Sequence, residues 1–297
     1  MRPRTKALIA ASLAGLAAWY ISAPSKLDPA EWPSPAGDAS RGEQVFNIGG
    51  CASCHMEKGA KGEARLLLGG GQAFTTPFGT FYAPNISPSV DGISGWTPLD
   101  LANALLRGVS PKGTHYYPAF PYSSYTRIQP QDVADLKAYL DTLPPVSRIN
   151  TPHDLPFPFN IRRTNGIWKA LFLRDDPVIP NAEPRGQYLV EVLGHCAECH
   201  TPRNALGALD RSRWLAGAPN PEGKGRIPNL TPGGGLASWS VDDIAYYLES
   251  GFTPEYDTVG STMVEVVENL SRATAEDRRA IARYLKALPA LPDAPKP

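Results

Sequence analysis

The chain has 297 residues, and its 29 Lys and Arg residues balance its 29 Asp and Glu residues, so the formal net charge is zero. This balance argues against a nucleic-acid-binding protein, which usually carries a basic excess. The 27 Gly and 31 Pro residues exceed ordinary usage and lack the strict period of collagen, so they predict many turns and loops.

The chain begins with a basic segment followed by an uncharged stretch of Ala, Leu and Ile. This order is typical of an export signal, and the stretch is shorter than the roughly 20 residues of a full membrane span. Ala23 fits a cleavage site poorly because Pro24 follows it, whereas Trp19 and Tyr20 are typical of a membrane interface. Residues 1–24 are therefore either a cleaved signal or an uncleaved anchor helix, and the pattern favours the anchor.

All four cysteines lie in two copies of the motif CxxCH. The motif residues are Cys51, Cys54 and His55 in the first copy and Cys196, Cys199 and His200 in the second. In such a motif the two thiols add to the vinyl groups of one porphyrin, and the adjacent histidine reaches the iron. A zinc site or a redox-active CxxC would leave both histidines unused. The sequence therefore predicts two covalently bound haem c groups with His55 and His200 as iron ligands.

Covalent haem attachment takes place outside the bacterial cytoplasm, which agrees with the export segment. We therefore expect the protein in the periplasm, anchored to the cytoplasmic membrane through its N-terminus. Two covalent haems also supply apolar surface that small domains rich in Gly and Pro would otherwise lack.

The chain repeats itself at a near-constant offset, since Cys51 and Cys196 are 145 residues apart. Further matched pairs are Pro84 with Pro228, Trp96 with Trp239, Gly108 with Gly251, and Asp132 with Asp277. The repeat predicts an all-α fold of two tandem domains, similar to class I cytochrome c, at residues 38–147 and 184–290.

Helix signals occur at equivalent places in the two copies. In the first copy a helix is expected to open with a capping box at Ser40 and Glu43, and another runs from Thr97 to Gly108. Residues 148–183 between the copies contain closely spaced prolines together with residues such as Phe157 that are too apolar for a flexible solvated linker. Apart from a short helix from Ile167 to Leu173, this segment predicts an ordered, Pro-rich strap that packs against both domains.

The sixth ligand of each iron is harder to assign. Met1 lies in the export segment and Met56 follows a proximal histidine, so Met263 is the expected ligand of the second haem. Met263 lies 12 residues after Gly251, and the residue 12 after Gly108 is Phe120, which cannot bind iron.

The first haem therefore lacks the methionine of its twin. It is either five-coordinate, bound to water, or bound by another donor, of which His115 is the leading candidate. The alternative for His115 is a hydrogen bond to a propionate or a backbone carbonyl. His153 and His195 are expected to be structural. In each case the first haem is expected to have the lower potential.

Several segments resemble the cytochrome c subunits of periplasmic membrane-bound alcohol, gluconate and fructose dehydrogenases. They include Tyr117-Pro118-Ala119-Phe120-Pro121-Tyr122, Leu155-Pro156-Phe157-Pro158-Phe159-Asn160 and Gly194-His195-Cys196-Ala197-Glu198-Cys199-His200-Thr201-Pro202-Arg203-Asn204. In that family the subunit passes electrons from a dehydrogenase toward ubiquinone or another acceptor. The chain departs from it in having two CxxCH motifs where three are typical, and Phe120 where the family has Met.

The resemblance and the repeat together imply that Asn85 and Asn229 hydrogen-bond haem propionates and that Arg203 offsets their charge, with a surface role as the alternative. The favoured function is electron transfer between a periplasmic dehydrogenase subunit and a respiratory-chain acceptor. The competing function is a dihaem enzyme, peroxidase-like or acting on a small molecule, that uses an open first haem.

Overall fold

The computed structural model describes residues 3–180, 182–220 and 225–294. The described chain is mostly helical, as the sequence predicts. It also contains two short antiparallel hairpins that the sequence analysis did not predict. In the first, β1 (Ala73–Thr76) pairs with β2 (Gly79–Tyr82), and in the second, β3 (Ala218–Pro219) pairs with β4 (Arg226–Ile227).

The first helix, α1 (Pro3–Ile21), is exposed at every described side chain, whereas Ser22 directly after it is buried. The Ser22 carbonyl accepts a hydrogen bond from His115 Nε2 at 3.0 Å, and its hydroxyl accepts one from Arg163 Nε at 3.1 Å. A Cβ on Gly166 would lie 2.4 Å from the same carbonyl oxygen. The end of α1 is thus part of the packed structure. Within the described ranges, no helix combines the length and apolar character needed to cross a membrane.

Residues 38–147, called the first half below, contain four helices. These are α2 (Ala39–Ile48), α3 (Cys51–His55), α4 (Pro98–Arg107) and α5 (Pro130–Leu140). The cap of α2 is Asp38, which accepts from Arg41 N, so the capping box expected at Ser40 and Glu43 is wrong. In contrast, α4 has the expected boundaries, with Thr97 as its cap and Gly108 in the left-handed conformation at its end.

Residues 184–290, called the second half, repeat the order of these four helices and add one more before the last. They form α7 (Pro184–Tyr188), which continues into a π-helical turn (Leu189–Leu193), then α8 (Ala197–His200), α9 (Val241–Ser250), α10 (Met263–Leu270) and α11 (Ala275–Ala287). Ser240 and Asp243 form a capping box at the start of α9, and Gly251 ends it with φ +77°. The cap and the final glycine therefore match those of α4.

The two halves pack their first and last helices in the same way. A Cβ on Gly42 of α2 would lie 1.9 Å from the Asp135 carbonyl oxygen of α5, and a Cβ on Gly186 of α7 would lie 2.1 Å from that of Ala280 in α11. Only glycine permits this approach of two backbones. Because Asp135 and Ala280 are 145 residues apart, the backbone contact follows the offset of the CxxCH motifs.

The ion pairs at these two crossings do not follow that offset. Arg41 Nε donates to Asp135 at 2.7 Å, and Arg185 Nε donates to Asp277 at 2.7 Å. The sequence counterpart of Asp277 is Asp132, which instead accepts from the hydroxyl of Tyr188 in the second half at 2.5 Å. The first half has moved its ion pair one helical turn along α5, and its Asp132 joins the two halves.

The connecting segment, residues 148–183, is ordered around α6 (Thr164–Phe172), which begins three residues before the expected helix. Trp168 Nε1 donates to the Leu206 carbonyl at 2.9 Å, and Val178 N donates to Glu191 at 3.1 Å. A cleft of about 660 Å³ lies where this segment meets both halves, lined among others by Arg127, Trp168 and Trp214.

Candidate haem sites

The histidine of each CxxCH motif is held by a proline carbonyl at an equivalent place in the two halves. His55 Nδ1 lies 2.7 Å from Pro84 O, and His200 Nδ1 lies 2.8 Å from Pro228 O. A carbonyl oxygen only accepts, so Nδ1 carries the proton and Nε2 keeps its lone pair. Burial lowers the pKa of both imidazoles and so favours this neutral form. Each ring therefore offers iron the nitrogen that a haem requires, with its second nitrogen fixed by the backbone.

The thiols next to these rings lie in an environment that keeps them protonated. Burial raises the pKa of Cys51 and that of Cys196 to about 12. Burial, together with the nearby Glu265 and Cys199, raises the pKa of Cys54 to about 11. These are the groups that form thioether bonds to a porphyrin, and they stand within one helical turn of the histidine. The residues present therefore fit a covalently attached haem in each half.

The residues considered for the sixth ligand position differ between the halves. Met263 is the first residue of α10 and packs, partly buried, against the hydrophobic core that the two halves share. Phe120, its counterpart by count, lies in an aromatic cluster, with its ring centroid 5.8 Å from that of Tyr116, 6.3 Å from Tyr122 and 6.2 Å from Tyr125. The methionine assignment of the second haem stays a prediction. The first half has an aromatic side chain where the second has a thioether.

His115 is buried, and both of its ring nitrogens have partners within the protein. Nε2 donates to the Ser22 carbonyl at 3.0 Å, and Lys169 Nζ donates to Nδ1 at 3.0 Å. Lys169 also donates to the carbonyls of Arg107 and Gly108. This arrangement matches the alternative of a bonded backbone carbonyl. As placed, His115 has no free lone pair for the first iron, and its assignment as the sixth ligand has no support.

Asn85 and Asn229 have equivalent roles, but their partners belong to the protein. Asn85 Nδ2 donates to the carbonyls of Val146 at 2.8 Å and Arg148 at 3.1 Å, while its oxygen accepts from Ser87. Asn229 Nδ2 donates to Leu291 O at 2.8 Å in the same manner. Each buried amide therefore ties the loop of the proximal proline to the chain that follows the last helix. These contacts give no support to the predicted bonds with haem propionates.

Arg203 also has a protein partner. Its Nη2 donates to Glu198, the residue before Cys199, both at the carbonyl oxygen and at the carboxylate. The guanidinium therefore neutralises Glu198 within its own loop, and the expected role beside a propionate has no support from this geometry. His153 accepts from Tyr82 N at 3.1 Å, as expected of a structural residue, and burial lowers its pKa to about 4.

The proximal carbonyls and the partner of His195, which was expected to be structural, are the site features that sequence reasoning missed. Pro84 and Pro228 were visible as anchors of the repeat, but their contact with the histidines depends on how the loop folds back. His195 donates from Nε2 to Gly49 O at 3.2 Å, next to the other CxxCH motif. The sign available in the sequence was its place directly before Cys196, whereas its left-handed backbone is visible only in the structure.

Taken together, the helical halves, the CxxCH motifs and the carbonyl-bound histidines define a c-type cytochrome. Residues 39–144 match the family model described as cytochrome c. Over 296 residues the chain is 56% identical to a "Diheme cytochrome c-type" protein of Cereibacter sphaeroides, covering 98% of this chain and 99% of that one. The chain belongs to the dihaem c-type cytochromes and carries two covalently bound haem c groups.

Two further relatives are subunits of larger enzymes. The chain is 38% identical over 277 residues to the fructose dehydrogenase cytochrome subunit of Gluconobacter japonicus, covering 90% of this chain and 55% of that subunit. It is 36% identical over 269 residues to the gluconate 2-dehydrogenase cytochrome c subunit of Pantoea cypripedii, covering 84% of this chain and 59% of that subunit. The chain thus spans little more than half the length of these dehydrogenase subunits.

Proposed function

We propose that the protein is a periplasmic electron carrier that takes electrons from a dehydrogenase subunit and delivers them to an acceptor of the respiratory chain. Its two tandem class I cytochrome c domains, residues 38–147 and 184–290, are joined by the Pro-rich strap at residues 148–183. When bound, each haem stores one electron on its iron, and the protein contributes ligands, burial and spacing.

The observation that carries this proposal is the shared proximal geometry of the two halves. Pro84 O and Pro228 O hold the imidazoles of His55 and His200 in one tautomer, at 2.7 Å and 2.8 Å. Such fixed rings favour a site that changes charge without rearrangement. The relatives that are dehydrogenase cytochrome subunits support a dehydrogenase as the donor.

Membrane anchoring through the N-terminus is part of the same proposal. A helix that is apolar and exposed on all sides, as α1 is, needs an apolar environment around it. Burial of Ser22 against His115, Arg163 and Gly166 supports retention of α1, because cleavage after Ala23 would remove a packed residue. Intact-mass measurement of the mature protein tests this directly. A mature chain that starts after Ala23 would contradict it.

The electron-transfer role is tested by affinity purification of the tagged full chain from detergent-solubilised membranes. We expect a dehydrogenase subunit to copurify and the haem bands to become reduced when the substrate of that enzyme is added. The matched control is a strain that lacks the copurifying subunit, in which the same substrate leaves the haems oxidised. A cytochrome whose haems are reduced equally in both strains would overturn the proposed donor.

A dihaem enzyme is the second candidate, and the replacement of the family methionine by Phe120 favours it. Tyr116 and Tyr122 beside Phe120 carry hydroxyls, and burial raises the pKa of Tyr116 to about 12, which keeps its hydroxyl protonated. Cyanide and peroxide separate the two functions. A first haem whose spectrum changes with both ligands and that consumes peroxide would favour the enzyme, whereas a first haem that ignores both would exclude it.

A further inference from the structure

The two CxxCH motifs take part in the contact between the halves through equivalent residues. Ser53 and Glu198 each precede the second cysteine of their motif. Ser53 Oγ accepts from Asn269 Nδ2 of α10 at 2.8 Å, and Glu198 accepts from Ser124 Oγ of the first half at 2.9 Å. Each haem-attachment segment is therefore bonded to the opposite half of the molecule.

Charged contacts surround the first of these bonds. Arg65 donates to the side-chain oxygen of Asn269 and forms an ion pair with Glu268 at 3.2 Å. Arg65 is buried and belongs to the first half, so both the oxygen and the nitrogen of the Asn269 amide are bonded to residues of the first half. The two attachment segments are consequently joined by a polar network and not by loose surface contact.

His195 lies at the centre of this contact. Its Nε2 donates to the carbonyl of Gly49 at 3.2 Å, and its ring meets that of Tyr125 edge-on at 5.8 Å. From the acceptor Gly49 the chain reaches Cys51 in two residues, and from the donor it reaches Cys196 in one. One hydrogen bond therefore connects the two haem-attachment loops by a short covalent route on each side.

The backbone of His195 is strained in a way that its counterpart is not. The residue 145 positions earlier is Gly50, and both adopt the left-handed conformation, with φ +60° at Gly50 and φ +38° at His195. Glycine adopts this region at no steric cost, whereas a residue with a Cβ pays a conformational penalty. A residue that keeps a costly backbone conformation at a functional site is a reason to look for a role there. The ring contacts Gly49 and Tyr125, both in the other half.

We propose that His195 is a positioning residue that fixes the relative placement of the two haem-attachment loops, and through it the electronic coupling of the two haems. This inference rests on the proposed electron-transfer function and deepens it. The two groups that hold the loops are the imidazole N–H, which bonds Gly49 O, and the imidazole ring, which meets Tyr125 edge-on. The second half contributes the donor, and the first half contributes the acceptor.

The test compares His195→Gly with His195→Gln in the purified full-length holoprotein. Glycine keeps the left-handed backbone and removes the bridge, while glutamine returns a donor at about the reach of Nε2. Two readouts are measured: the magnetic interaction between the ferric haems by electron paramagnetic resonance, and the rate at which an electron redistributes between them after partial photoreduction. We expect His195→Gly to weaken the interaction and slow redistribution severalfold, and His195→Gln to recover much of both.

Tyr256→Gly is the matched control. Tyr256 is an exposed residue of the second half with φ +64°, so its replacement also relieves a left-handed backbone but breaks no contact with the first half. We expect it to leave both readouts at the wild-type level. If His195→Gly also leaves them at that level, the proposal is overturned.

Asn269→Ala is a second variant that remains informative if His195→Gly does not fold. It removes the hydrogen bond to Ser53 without altering a residue of either CxxCH motif. We expect a smaller change of both readouts in the same direction. No change with Asn269→Ala would contradict coupling through the loop contacts. Because one readout uses the oxidised protein and the other supplies the electron by photoreduction, neither depends on a dehydrogenase, so a failure of the proposed donor is separable from a failure of this inference.

Discussion

The two halves of the molecule share what holds a haem and differ in what surrounds it. Both use a CxxCH motif, a proximal proline carbonyl and a buried asparagine that ties the proline loop to the end of the half. They differ at Phe120 against Met263, which are counterparts by count along the repeat, and at Gly50 against His195 beside the first cysteine. The repeat has kept the residues of cofactor attachment and has changed the residue predicted to bind iron and the residue that bonds the other half.

Loss of covalent haem attachment in one half is expected to have the largest effect. Replacing Cys196 and Cys199 together by Ala is expected to reduce haem content from two groups to one per chain. It also removes apolar surface from the core of the second half, so unfolding of that half is expected at a lower temperature. Pyridine haemochrome assay and intact mass measure the first effect, and thermal unfolding measures the second.

The equivalent variant, Cys51→Ala with Cys54→Ala, is the matched comparison. We expect the same loss of one haem but retention of the spectrum assigned to the methionine-bound site. Retention of two covalent haems in either double variant would contradict the assignment of these cysteines.

The ligand asymmetry is tested by exchanging the residues at the two equivalent positions. Met263→Ala should abolish the far-red absorption band of a methionine bound to ferric iron and lower the potential of the second haem, because the thioether favours reduced iron. Phe120→Met should create a second such band and bring the two potentials together. Optical redox titration follows both changes.

Met56→Leu controls for nonspecific loss of a methionine, since Met56 is buried directly after His55. It should leave the band in place. A far-red band that survives Met263→Ala would show that another sulfur binds iron, and two equal potentials in the unaltered protein would remove the asymmetry altogether.

The two halves share a buried asparagine, and its replacement in either half is expected to lower the stability of the protein. Asn85→Ala leaves the carbonyls of Val146 and Arg148 without their donor, so we expect a loss of about 2 kcal/mol in the free energy of unfolding. Asn229→Ala should cost a similar amount. Chemical denaturation gives the free energy and redox titration gives the potentials. A shift of one haem potential with unchanged stability would restore the propionate role for that asparagine.

The ion pairs at the helix crossings give the smallest expected effect. Burial alone would raise the pKa of Asp135, but the Arg41 guanidinium, the Asp38 N–H and Gln131 outweigh it and hold the pKa below its usual value. A carboxyl whose pKa is lower in the folded state stabilises the protein above its unfolded value of about 4. This contribution is lost as the pH falls through the lower folded value.

We therefore expect Asp135→Asn to lower the melting temperature of the first half near neutral pH and to leave it closer to the wild-type value in strong acid. Calorimetry at several pH values measures this dependence. Asp91→Asn is the control, since this half-buried loop carboxylate of the same half accepts from the Ser147 hydroxyl and forms no ion pair within the described ranges. A difference between wild type and Asp135→Asn that stays constant down to strong acid would exclude the ion pair as its source.

The sequence alone determined the cofactor, its attachment residues and the mostly helical fold. CxxCH is a local arrangement, since three neighbouring side chains meet one porphyrin without help from distant residues. The boundaries of α4 were also readable, because a cap, a proline and a final glycine act within one or two turns. The difference between Met263 and Phe120 was also found by counting along the repeat, whereas the binding of Met263 to iron stays a prediction.

Tertiary structure decided where single polar side chains find their partners. Asn85, Asn229, Arg203 and His115 were expected near haem, but each has protein partners. A polar side chain bonds whichever group the fold brings within about 3 Å, and that group often lies far along the chain. The bond from His195 to Gly49 joins residues 146 positions apart, a pairing that no local pattern contains.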